Sequence, residues 1–207
     1  MKIINCKQGS LEWFECRAGI PTASQFSKIV TSTGEISRSM KEFALHLASE
    51  LIVDELEDPY TTVAMERGSE LEYDAVEAYQ NKTLNPVEKV GFMACNNYGY
   101  SPDGLIGDNG LLEIKCPLQK NHAKYLSSKK IPTEYKAQIQ GGLYVSDRDW
   151  CDFVSFNPSF QPEYKLLIVR AFRDDQYIRA LSKGIKKCIE VRDEFLEKIK
   201  GKIYDKQ

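Results

Sequence analysis

A chain of 207 residues can bury one well-packed core, and 42% apolar with 11% aromatic residues supplies the material for it. No run approaches the roughly 18 apolar residues of a membrane span, and the opening "MKIINCKQGS" has no apolar signal region, so a soluble protein that stays where it is made is expected. A formal charge of −2 argues against a uniformly basic nucleic-acid binder, yet it permits acid-rich solvated helices beside a channel lined by a few cations.

The side-chain inventory removes several chemistries. Six cysteines (Cys6, Cys16, Cys95, Cys116, Cys151, Cys188) contain no C-x-x-C pair, which argues against a zinc ribbon or a closely ligated iron–sulfur cluster and leaves free thiols. His46 and His122 are too far apart for a ligand motif, and each reads as structural or surface. Neither G-x-x-x-x-G-K-[ST] nor G-x-S-x-G occurs, so the phosphate loop and the esterase elbow lose their markers.

In chain order, "LEWFECRAGIPTASQFSKIV" places Arg17 in a turn and Thr22 and Ser24 at a helix start. Free N–H groups, hydroxyls and a guanidinium can together grip a phosphate, although a helix cap beside a surface arginine gives the same letters. Next, "SMKEFALHLASELIVDELE" predicts a helix with a capping box, Ser39 with Glu42, and an apolar stripe of Phe43, Leu47, Leu51 and Ile52. "AMERGSELEYDAVEAYQNK" predicts a second helix that buries Leu71, Ala75, Val76 and Tyr79. Its Gly68 costs about 1 kcal/mol against alanine, which suggests a crowded surface one turn from Glu72.

"VEKVGFMA" at 87–94 predicts a strand, and residues 101–116 follow as "SPDGLIGDNGLLEIKC". "GDNG" suits a tight turn between Leu105-Ile106 and Leu111-Leu112, so this segment reads as a hairpin. Strand alternation turns Glu113 and Lys115 to one face and Leu112, Ile114 and Cys116 to the other. Asp103, bracketed by Pro102 and Gly104, can then return across from Glu113. Two close carboxylates repel each other and favour a hard divalent cation, magnesium or manganese, with the Ile114 carbonyl as a third oxygen. The Lys115 ammonium can orient water and offset charge on a phosphate, so the set reads as metal-assisted phosphodiester cleavage. A solvated hairpin with an ordinary ion pair would show the same three letters.

Helical pieces are expected at about 121–129 and 134–145, the latter carrying Gln138 in apolar surroundings, with Gln140 and Tyr144 as weaker candidates of the same kind. Gly141 and Gly142 are expected to let this helix approach the sheet. "WCDFVSFN" and "YKLLIVRAF" predict strands, and a long amphipathic helix from near Asp174 buries Tyr177, Ile178, Leu181, Ile185, Ile189 and Phe195. The fold class expected is α/β, a mixed β-sheet flanked by helices on both faces, within a single domain over 1–207.

Taken together, "SPDG…LLEIKCP" resembles the PD-(D/E)XK nuclease superfamily, and the ordered set resembles the YqaJ-like viral recombinase family that includes phage lambda exonuclease. Four blocks match in order: Trp13, Arg17, Gly19 and Thr22-Ala23-Ser24; Gly68 with Glu72; Ser101-Pro102-Asp103-Gly104 with Glu113-Ile114-Lys115-Cys116-Pro117; and Ala137-Gln138-x-Gln140. The resemblance implies a restriction-endonuclease-like core and a magnesium-dependent exonuclease, with manganese able to substitute and two ions per active site. It would digest linear double-stranded DNA from 5′ ends and leave 3′ overhangs for a single-strand annealing protein in phage recombination. Asp103, Glu113 and the Ile114 carbonyl would hold metal, Lys115 would position water, and Glu72 and Gln138 would serve the second metal or the nucleophile. Arg17, Thr22 and Ser24 match the family's pocket for a terminal 5′-phosphate, and Met65 falls where the family can carry a strand-parting wedge. A homotrimer ring in the cytoplasm of a bacterial host is also implied. A restriction-type or structure-specific endonuclease, or a non-catalytic DNA-binding subunit, would fit the same residues.

Overall fold

The computed structural model describes residues 1–54 and 63–204, without the side chains of 63–66, 69 and 202–204. The expected hairpin forms: β5 (Gly104–Ile106) and β6 (Gly110–Lys115) pair antiparallel, with Leu105 opposite Leu111. Arg148 braces the turn by donating to the carbonyls of Gly107 and Gly110, each at 2.7 Å. β6 then pairs in parallel with β7 (Trp150–Phe156), which pairs antiparallel with β8 (Leu166–Phe172). With β2 (Val87–Glu88) on the far edge, the sheet order is β2-β5-β6-β7-β8, a mixed sheet.

The two faces are covered differently. α3 (Val63–Thr83) lays Ala75, Val76 and Tyr79 against Leu112, Ile114 and Val154. Tyr79 also donates its hydroxyl to the buried carboxylate of Asp152 at 2.7 Å, and Arg170 grips the same carboxylate through two 2.8 Å bonds. A lone buried charge on β7 would be costly, and these partners satisfy it while fixing the helix to the sheet.

On the opposite face lie α4 (Gln119–Ser128) and α5 (Lys136–Ser146), the two segments that carry the chain from β6 to its parallel neighbour β7. Their buried residues join the larger core with α2 (Met40–Glu50) and α6 (Asp175–Tyr204). Among the described residues no helix is long and apolar enough to cross a membrane.

Four local expectations change. The run 87–94 is two strands: β2 stays on the main sheet, whereas β3 (Phe92–Cys95) joins a second sheet between β1 (Lys2–Ile4) and β4 (Tyr98–Tyr100). The break falls at Gly91, where a Cβ would lie 2.2 Å from the Cys6 carbonyl oxygen. The N-terminal segment thus crosses where only glycine fits.

Ser39 does not cap α2. Its hydroxyl donates instead to the Lys28 carbonyl at 3.1 Å, a tertiary tie that replaces the capping box. α2 also stops at Glu50, leaving Leu51 and Ile52 exposed; its buried stripe is Met40, Phe43, Ala44, Leu47 and Ala48. The last three residues of the predicted helix, 55–57, lie outside the described residues. Finally, no described atom would crowd a side chain at Gly68.

Candidate active site

The hairpin register puts Asp103 one step beyond the Gly104–Leu112 pair, opposite Glu113. Asp103 Oδ2 accepts the Ile114 N–H at 2.6 Å, so the aspartate is stitched to the strand that carries the glutamate. Glu113 is buried on the sheet face away from α3. Its Oε1 receives Lys115 Nζ and Gln138 Nε2, each at 2.5 Å, and its Oε2 receives the Tyr100 hydroxyl at 3.3 Å.

Each donor reaches this point for a local reason. Lys115 follows Glu113 at strand period and lies 5.2 Å over the Tyr135 ring. Gln138 projects from the first turn of α5. Tyr100 packs against Gly142 of α5, where a Cβ would come within 2.8 Å of the ring, so the small residue leaves room for the phenol to reach Glu113. Gly141 makes the matching approach to Phe26 rather than to the sheet.

The electrostatics are those of an overfilled acidic pair. Burial, then the charge of Glu113, pushes the Asp103 carboxyl well above the usual carboxylate range, against the pull of Lys115 and the Ile114 N–H. Burial draws Lys115 down, but Glu113 and Asp103 outweigh it and the ammonium is held more firmly than usual. Two crowded carboxylates, one of which resists ionising beside the other, would both be relieved by a hard divalent cation. Asp103 and Glu113 would be its side-chain ligands, with the Ile114 carbonyl beside them.

Glu72 stands apart from this pair. It rises from α3 and bonds to Lys89, and its charge still contributes to the field at Asp103 and Cys116. Among the described residues no three His, Cys, Asp or Glu side chains form a ready metal cluster. Nearby, Arg67 donates from α3 to the Cys116 carbonyl at 2.5 Å. The side chain of Met65 lies outside the described residues.

A second cluster adjoins the first through Ser101, two residues before Asp103. Its hydroxyl accepts from Trp13 Nε1 at 2.8 Å and from Arg17 Nη1 at 2.9 Å, while the guanidinium stacks 4.0 Å from the Trp13 ring centroid. Arg17 Nη2 donates to Thr22 Oγ1 at 3.1 Å. The helix start at Thr22 is a short 3₁₀ turn, Ala23–Lys28, without a side-chain cap. Thr22 is buried and its hydroxyl donates to Gln25 at 3.0 Å, whereas Ser24 is exposed and 3.4 Å from Thr22. Burial lowers Arg17 to about 10, opposed by Glu50, and among the described residues it pairs with no carboxylate. A partly buried cation held by neutral oxygens is suited to a visiting anion.

Other candidates resolve into scaffold. Gln140 is engaged at both ends of its amide, donating to the Phe172 carbonyl and accepting the Asp174 N–H at 2.8 Å. Tyr144 stacks on Tyr98 and shares hydroxyl bonds with it and Ser182. His122 is buried between Ser155 and the Tyr164 carbonyl, and His46 is a surface partner of Glu50. Sequence reasoning missed Tyr100 and Gln8, which ties the Pro102 carbonyl at 2.9 Å. Only the position of Tyr100 immediately before "SPDG" hinted at its role.

Comparison with known proteins identifies the family and the fold. Residues 12–149 match the model of the YqaJ-like viral recombinase domain. An alkaline exonuclease from Laribacter hongkongensis is similar in structure, with a TM-score of 0.88 and 30% identity over 96% of this chain and 100% of that one. The same enzyme in complex with dAMP matches equally well. A phage-related exonuclease from Haemophilus somnus 129PT shares the fold at a TM-score of 0.69, with 15% identity over 87% of this chain and 96% of that one. Among curated proteins no sequence match reaches significance. The Trp13–Arg17 cluster, the Asp103–Glu113–Lys115 hairpin and Gln138 all fall inside the matched span, and the chain belongs to the YqaJ-like viral recombinase family.

Proposed function

We propose that this chain is a magnesium-dependent 5′-to-3′ exonuclease that acts on linear double-stranded DNA ends and leaves 3′ overhangs for phage-type recombination. The observation that carries the reading is Glu113, gripped by Lys115 and Gln138 and set across from a raised-pKa Asp103. Similarity to an alkaline exonuclease, a structure of which contains dAMP, supports the reaction class.

Asp103, Glu113 and the Ile114 carbonyl would hold Mg2+ or Mn2+, which when bound supplies Lewis-acid polarisation of the phosphate and a more acidic water. Lys115, fixed by Glu113, presents its ammonium where the attacking water and the developing phosphate charge meet. Gln138 holds Glu113 in place, and Glu72 would serve a second ion on exchanging Lys89 for it. Arg17, with Thr22 and Ser24, receives the terminal 5′-phosphate and so selects ends. In this reading residues 1–207 act as one nuclease domain in the bacterial cytoplasm, as a homotrimer ring around DNA, and hand the overhang to a single-strand annealing protein.

The test is a time course on linear duplexes labelled at either terminus, with magnesium and with chelator, beside supercoiled circles. Loss of 5′ label first, dependence on magnesium and intact circles are expected. Cutting of circles would point to an endonuclease, and DNA binding without hydrolysis to a non-catalytic subunit.

A further inference from the structure

We propose that the outer face of α4 and its C-terminal turn form the track that holds the phosphate backbone of the DNA duplex, a surface that rests on the nuclease reading. Between Glu113 and Glu134 the chain has five lysines and no acid, although acids outnumber bases overall, 30 to 28. Lys115 belongs to the active site. The other four, Lys120, Lys124, Lys129 and Lys130, are exposed, and among the described residues none forms an ion pair.

The fold puts this charge beside the chemistry. In the parallel register Glu113 pairs with Phe153 and Lys115 with Ser155, so these four side chains share one face of the sheet. α4 is anchored to that face: His122 Nδ1 meets Ser155 Oγ at 2.7 Å and the Tyr125 ring lies 6.2 Å from that of Phe153. With His122 and Tyr125 turned inward, helical geometry turns Lys120 and Lys124 outward, one turn apart. Lys129 extends the line from a left-handed C-cap at φ 51°, a conformation glycine adopts at lower cost. The sequence keeps a cation there instead.

Dimensions and charge both suit nucleic acid. From Lys120 to Lys130 the line runs roughly 15 Å at helical rise, and one DNA strand presents a phosphate about every 3.4 Å of axis, so about four phosphates can be met at once. Lysine, a hydrated point charge, suits sequence-independent contact with phosphate.

The test compares wild type with a variant carrying Lys120→Gln, Lys124→Gln, Lys129→Gln and Lys130→Gln. A control removes four exposed lysines elsewhere, Lys41→Gln, Lys82→Gln, Lys183→Gln and Lys186→Gln. Binding to a blunt duplex is followed by fluorescence anisotropy in chelator from 50 to 200 mM salt, beside digestion rates at saturating DNA. Each lost phosphate contact should flatten the plot of log affinity against log salt by about 0.9. Wild type and control should therefore weaken about 100-fold more than the α4 variant across that range, while the saturated rate changes little. A wild type that digests duplex while the α4 variant keeps its full salt slope overturns the track and leaves the nuclease reading standing. Equal flattening in the control also overturns it, and a wild type that neither binds nor digests duplex overturns both readings.

Discussion

Gln138 on α5 donates to Glu113 on β6 at 2.5 Å, and through that bond the crossover helix holds the acid at the centre of the site. The oxygen it grips is the one that Lys115 also grips.

Removing that amide should loosen the site without dismantling it. For Gln138→Ala we expect hydrolysis to fall about 10- to 100-fold and the magnesium requirement to rise, with DNA affinity in chelator unchanged. Magnesium titrations of the rate, set beside binding curves, will show this. An unchanged magnesium requirement would remove Gln138 from the site.

The raised pKa of Asp103 carries a definite sign. A folded acid that keeps its proton above its unfolded value binds more protons than the unfolded chain across the interval between the two, so stability declines as pH rises through it. The slope is at most about 1.4 kcal/mol per pH unit, and the solvent access that Asp103 retains narrows the interval over which it acts. Melting temperature in chelator should therefore drop as pH climbs from the ordinary carboxylate range towards 8, and Asp103→Asn should flatten the drop. Magnesium should stabilise the wild type most at the alkaline end.

Arg17→Ala should slow digestion of 5′-phosphorylated ends by about 10- to 100-fold, the worth of one or more charge-assisted hydrogen bonds, and 5′-hydroxyl ends much less. Equal slowing on the two substrates would dissolve the phosphate pocket.

Gly142→Ala sets a methyl group 2.8 Å from the Tyr100 ring. Such overpacking costs about 1–3 kcal/mol, so a fall of several degrees in melting temperature is expected. Because Tyr100 bonds to Glu113, activity at permissive temperature should fall as well. Tyr100→Phe, which keeps the ring and loses only the hydroxyl, should retain stability better than Gly142→Ala.

How much of this was legible in the sequence follows from the range of each signal. The hairpin was readable because its turn residues and alternation are local, and its register alone brings Asp103 across from Glu113. Family-level order of the motifs then marked Arg17, Glu72 and Gln138. What remained hidden depends on distant chain. The break at Gly91 is imposed by Cys6, the fate of Ser39 by the Lys28 carbonyl, and the ion pair that occupies Glu72 by Lys89. Asp152 looked like any polar residue in an alternating strand, and only the approach of Tyr79 and Arg170 explains its burial. The lysine-rich stretch after β6 could be read as letters, but its side of the sheet could not.

Ser101 has one further consequence. It touches Arg17 through its hydroxyl and is joined by two peptide bonds to Asp103, so the pocket proposed for a strand end and the carboxylate pair proposed to cut would sit at a separation built into the covalent backbone. That separation is a ruler. An enzyme built on it would release fragments of constant length, and each cut would create the very terminus that its next cycle grasps.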